Sequence, residues 1–178
     1  MRSFARSKAL VLSVALCAAP MLSHAADLPD ARELAGVRLG QSLDSIPACG
    51  SQRVLCRAPV LDAAGDTVVL HSAPVLADAP QSLVVAAVDG KIDSIFLTIM
   101  PRKGVLRPED ESEAINVQTK ALAAKKWAAW SNQNALWHGI PVVQRVAPDA
   151  ARALVVNMGG PTGVVLFSSS DPTVKAGL

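Results

Sequence analysis

Tyrosine is absent from the 178-residue chain, and aromatic residues make up only 3% of it. Cysteine is scarce too, at three residues, and no pair is spaced C-x-x-C. The lack of that spacing argues against a thioredoxin-like couple. A zinc site needs about four ligands, and beyond the signal-like start only His71 and His138 could join the cysteines, at the wrong spacing. No apolar run reaches the ~20 residues a membrane-spanning helix requires. The sequence has no G-x-S-x-G elbow, H-E-x-x-H pair, phosphate-binding loop or dinucleotide fingerprint. The familiar routes to hydrolysis, metal catalysis and nucleotide binding are therefore not written locally, and no cofactor is expected.

What is present begins with Arg2, Arg6 and Lys8, then the apolar stretch ALVLSVALCAAPML, then Ser23-His24-Ala25. A basic start, a short apolar run and a small-x-small site are the parts of a secretory signal peptide. Residues 1–25 are read as that signal, cleaved near Ala25, leaving 26–178 as one domain in the periplasm or outside the cell. Lipid attachment at Cys17 is disfavoured because Leu16, just before it, is not small. Cleavage would remove three of 17 basic residues and no acid, leaving 14 against 15 acidic, a net charge of −1. No basic patch then remains to mark a nucleic-acid or anionic-membrane partner.

In an oxidising compartment Cys49 and Cys56 are expected to form a structural disulfide, with free or redox-active thiols and a metal site as the weaker readings. The chain would reverse at Gly50-Ser51 and the bridge would pin a helix end to the following strand.

Along the chain, Ala26–Ala35 reads as an arm or short helix. Ser42 is placed to cap a short helix from Leu43, ended by Pro47. Val54–Leu61 and Thr67–His71 read as strands, Ser72–Pro80 as a loop. Leu83–Val88 and Lys91–Ile99 flank Asp89-Gly90, a strong hairpin signal because a type I′ turn needs positive φ at both central residues. After a basic loop, Met100–Arg107, the stretch from Pro108 to Trp130 reads as one long helix, with acids at its start and Lys125 and Lys126 near its end. Ala114, Val117, Ala121, Ala124 and Ala128 form its expected buried stripe, flanked by Ile115 and Leu122. Ser131–Pro141 reads as a turn-rich connection, Val142–Val146 as a short strand, and Ala153–Met158 and Val164–Ser168 as a hairpin around Gly159–Gly163. The tail reads as loose.

The class is thus α+β: a mostly antiparallel sheet with one long and one short helix, arranged as two helix-plus-meander units with a boundary near 101–108. VRLGQSLDSI, from Val37 to Ile46, resembles the glycine-then-short-helix opening of small exported proteins of the β-barrel-assembly lipoprotein and β-lactamase-inhibitory-protein type. Lys126-Trp127 through Trp137-His138-Gly139-Ile140-Pro141 is similar to the aromatic, glycine and proline passage before the next strand in such repeats. Two departures are the Cys49–Cys56 loop and the absence of tyrosine before that glycine. The resemblance implies binding or assembly rather than catalysis.

Trp127, Trp130 and Trp137 fall within eleven residues. They read either as core, closing the junction of helix and sheet, or as a partner-binding surface, since tryptophan dominates interface hot spots. Trp127, Trp130, Trp137 and His138 are the candidate partner-binding residues. His138 with nearby Ser131 lacks an assignable third group, so no catalytic residue is named. Glu109, Asp110, Glu111 and Glu113 lack calcium-loop spacing and read as a solvated helix start. The leading expectation is a non-catalytic module binding an envelope protein or component. An enzyme assembled from distant residues and a small-ligand carrier are the alternatives.

Overall fold

The computed structural model describes residues 30–50, 55–58, 67–76, 79–104 and 107–168, and the backbone of 174–176. The signal-like start and its cleavage site lie outside the described residues.

The first described element is a small hairpin, β1 (Glu33–Leu34) and β2 (Val37–Arg38). An arm or short helix was expected there. Ala35 and Gly36 take φ of 54° and 83°, the left-handed pair that closes a two-residue hairpin. The expected short helix is a single 3₁₀ turn, Leu43–Ser45, which buries no side chain and receives no cap bond from Ser42.

Then come β3 (Cys56–Arg57), β4 (Thr67–His71), β5 (Gln81–Val88) and β6 (Lys91–Ile99), each antiparallel to the next. Val54 and 59–61, expected in the first of these strands, lie outside the described residues. Asp89 and Gly90 take φ of 51° and 74°, as the hairpin signal requires. Helix α1 follows at Pro108–Lys126 and stops four residues earlier than expected. A second antiparallel run comprises β7 (Ser131–Trp137), β8 (Ile140–Val146), β9 (Arg152–Asn157) and β10 (Thr162–Phe167).

Two corrections arise here. Ser131–Pro141 is strand, turn, strand rather than a turn-rich connection. Ser131, Gln133, Ala135 and Trp137 alternate with Asn132, Asn134 and Leu136, and His138-Gly139 turns the chain with φ of 48° and 81°. The polar side chains hid a period of two. The tail also pairs: β11 (Val174–Ala176) lies antiparallel to β7, which otherwise would offer an open outer edge.

The large sheet runs β11-β7-β8-β9-β10-β6-β5-β4-β3 and is antiparallel throughout. Its two runs meet where β10 pairs with β6, their last strands. α1 packs over β9 and β10. The helix buries Ile115 and Thr119, with Trp127 at its C-cap, while Val117 and the alanines at 114, 121 and 124 face solvent. The expected alanine stripe is therefore turned outward. Burying isoleucine and tryptophan removes more apolar area from water than burying alanines, so the large residues set the helix rotation.

The main core lies between α1 and the sheet, with Leu83, Ile95, Leu97, Ile99, Val164 and Leu166 on the sheet side. A second core forms on the opposite face from Ala135, Leu154, Val156, Val165 and Phe167. Among the described residues nothing helical covers it. Instead the sheet coils over it: the Phe96 and Trp137 rings, on β6 and β7, have centroids 6.2 Å apart. Four strand spacings would put those strands roughly 19 Å apart if the sheet were flat. Every residue of β10 is consequently buried.

Candidate protein-binding surface

Trp127 is 1% exposed, and its indole N–H donates to the carbonyl of Ala31 at 2.7 Å. Trp130 is buried beside it, ring centroids 6.0 Å apart. Both belong to the main core. Trp137 is half-buried and caps the second core on the far side of the sheet, edge-on to the exposed His138. The four candidate residues therefore do not form one patch. Their closeness in sequence spans a helix end and a whole strand.

Ser131 and His138 stand at opposite ends of β7 and its turn, roughly 20 Å apart at the strand rise. The Ser131 hydroxyl donates to the Val146 carbonyl, 3.2 Å away. The two cannot act as a nucleophile and base. Among the described residues no group of three His, Cys, Asp or Glu side chains converges. The acids at the start of α1 include Glu111, which accepts from Arg102 Nε at 2.6 Å.

Cys49 and Cys56 are disulfide-bonded, their Cα atoms 4.8 Å apart. The bridge ties the segment after the 3₁₀ turn to edge strand β3. Backbone bonds Cys49 N–H to Arg57 O (3.0 Å) and Arg57 N–H to Pro47 O (2.8 Å) reinforce it.

Two concave regions flank α1. One is an apolar cleft of about 300 Å³ between α1, Leu34, Val75 and the sheet residues Leu97 and Val164. Thr119 lines it, 3% exposed, its hydroxyl without a hydrogen-bond partner among the described residues. Lys126 lines its rim. Burial holds that ammonium below its ordinary pKa, against the opposing pull of Glu33 and Asp30.

The other region, about 540 Å³, lies on the opposite flank. It is a fork in the sheet that the sequence did not reveal. β8 pairs with β9 only from Gln144↔Leu154 to Val146↔Arg152. Beyond that the strands part, leaving Ile140–Val143 on one side and Val155–Asn157 on the other. Among the described residues, β8 is paired there only with β7, and β9 only with β10. The hint in the sequence is Pro141, which has no N–H and so cannot donate across the gap. The hairpin β7–β8 continues past the fork with β11 paired along its other side. On one of its faces Leu136 and Pro141 sit opposite each other in register, next to Val143, and all three are exposed. Leu136 is 36% and Val143 58% accessible.

Among the described residues no helix is long and apolar enough to cross a membrane. Comparison with protein-family models, with curated proteins and with solved structures finds no match to this chain.

Proposed function

We propose that the chain is an exported, periplasmic, non-catalytic module that binds another protein through the β7–β8 hairpin. The observation that carries this reading is the exposed apolar face of Leu136, Pro141 and Val143 on that hairpin, beside a sheet left open. Exposed apolar side chains that adjoin one another mark interaction surfaces, whereas single ones do not. The disulfide fits an oxidising compartment. Under the same proposal the architecture is two units, each a helical turn or helix followed by a four-stranded meander. This agrees with the resemblance of the Val37–Ile46 and Lys126–Pro141 stretches to exported binding and assembly proteins.

The test is a photo-crosslinking side chain at Val143, with one at Val69, an exposed valine on the distant strand β4, as control. A discrete adduct in cells at 143 and none at 69 supports the hairpin as the docking surface. No adduct at 143, or identical adducts at both, overturns it.

The apolar cleft beside α1, with the unpartnered Thr119 hydroxyl inside, favours a second reading: carriage of a small apolar ligand bearing one polar group. Thr119→Val would leave the fold intact and weaken such a ligand.

A further inference from the structure

The binding role proposed above leaves open how a partner would attach, and the fork between β8 and β9 bears on that. Along an antiparallel pair, hydrogen-bonded and non-hydrogen-bonded positions alternate. The Ala147 N–H donates to the Ala151 carbonyl at 2.8 Å, which fixes the phase of the β8–β9 ladder. Counting in twos, Arg145 and Ala153 face each other with their backbone polar groups, and Val143 would face Val155. The opposite ladder gives the same answer. Met158 N–H donates to Pro161 O at 2.9 Å, so Leu154 and Val156 turn their polar groups toward β10. The N–H and C=O of Val155 and Asn157 therefore point into the fork, where no strand among the described residues pairs with them. Such an open edge is a template for one more strand.

The walls define what that strand would carry. Lys120 of α1 and Arg145 of β8 both line the fork, and among the described residues no acidic side chain does. Neither cation has an ion-pair partner among the described residues. Val143 and Val155 supply apolar contacts beside them. The cavity of about 540 Å³ is within the range of about 300–1,000 Å³ of formed binding clefts. We infer that the fork binds an extended peptide segment of a partner protein, with an acidic side chain among apolar ones, as an added strand on the free edge of β9.

The probes are blocked seven-residue peptides alternating valine and threonine, with Glu, Gln or Lys at the centre. Binding to the whole purified protein is followed residue by residue from backbone amide shifts and hydrogen exchange. The Glu peptide is expected to bind with shifts centred on Val143, Val155 and Asn157, and to slow exchange at the Val155 and Asn157 amides. The Lys peptide is expected to bind about tenfold more weakly. Lys120→Glu, at an exposed helical position that leaves the core untouched, is expected to erase that preference. Binding without protection of those two amides overturns the proposal, as do equal affinities for the Glu and Lys peptides or no binding at millimolar concentration. If the crosslink at Val143 persists while the peptides fail, the docking role stands and strand addition falls. If both fail, the docking role falls with it.

Discussion

Replacing Trp127 tests how the helix is anchored. Its ring is buried, and its N–H donates to the Ala31 carbonyl, 96 residues away in sequence. Trp127→Phe loses that hydrogen bond, worth about 1 kcal/mol, and strands the carbonyl of Ala31 in a partly buried place. It also loses roughly 40 Å² of buried ring surface, about 1 kcal/mol at 25 cal/mol per Å². The sum is about 2 kcal/mol, or a drop in Tm of about 4–8 °C for a domain of this size. Trp130→Phe is the internal control. It is buried in the same cluster but its ring nitrogen makes no hydrogen bond to a described residue, so only the area term of about 1 kcal/mol applies. Thermal unfolding followed by far-ultraviolet circular dichroism reads both. Equal losses for the two variants would refute the role given to the Ala31 bond. Losses near zero would refute the burial itself.

Three further outcomes are expected. Reducing Cys49–Cys56, or replacing both with serine, should cost about 2–2.5 kcal/mol, the loop-closure figure for a sequence separation of 7, read as a lower urea midpoint. Burial lowers the pKa of Lys126 from 10.5, so the unfolded chain binds more protons between the lowered value and 10.5. Stability carried by this group is then least below that window and rises with pH through it. Lys126→Met should raise stability at neutral pH and flatten the alkaline rise, measured by urea midpoints from pH 7 to 11. Gly163→Ala would place a methyl 3.1 Å from the edge of the Phe96 ring, which must give way within the second core. A loss of about 1 kcal/mol in thermal unfolding is expected, and a gain would contradict the packing of the second core.

Legibility from sequence followed how local the physics was. Asp89-Gly90 announced its hairpin because the turn's positive φ angles are a property of two residues. The start of α1 was equally plain, through Pro108 and the acids after it. Its rotation was not. Ala114, Val117, Ala121 and Ala124 offered a cleaner period than Ile115, Thr119 and Trp127, yet the sheet selected the larger side chains. β7 was missed because its outward residues are Asn and Gln and its core residue is only an alanine, so burial contrast was weak. His138-Gly139 could have revealed it, since it matches Asp89-Gly90 in conformation. β11 was invisible because its place depends on an edge of β7 some forty residues earlier. The tryptophans showed the opposite limit. Only ten residues apart in sequence, Trp127 and Trp137 lie in cores on opposite faces of the sheet. The fork was beyond any local reading, because it is a register that stops, with Pro141 as its single trace.

The most direct measurement is amide hydrogen exchange along β9 in the free protein. Leu154 and Val156, bonded to β10, should exchange slowly, while Val155 and Asn157, aimed into the fork, should exchange far faster. That alternation within one strand is what an open, pairing-competent edge predicts. Uniform slow exchange from Leu154 to Asn157 would mean that β8 and β9 close on each other in solution, and it would contradict the binding surface described above.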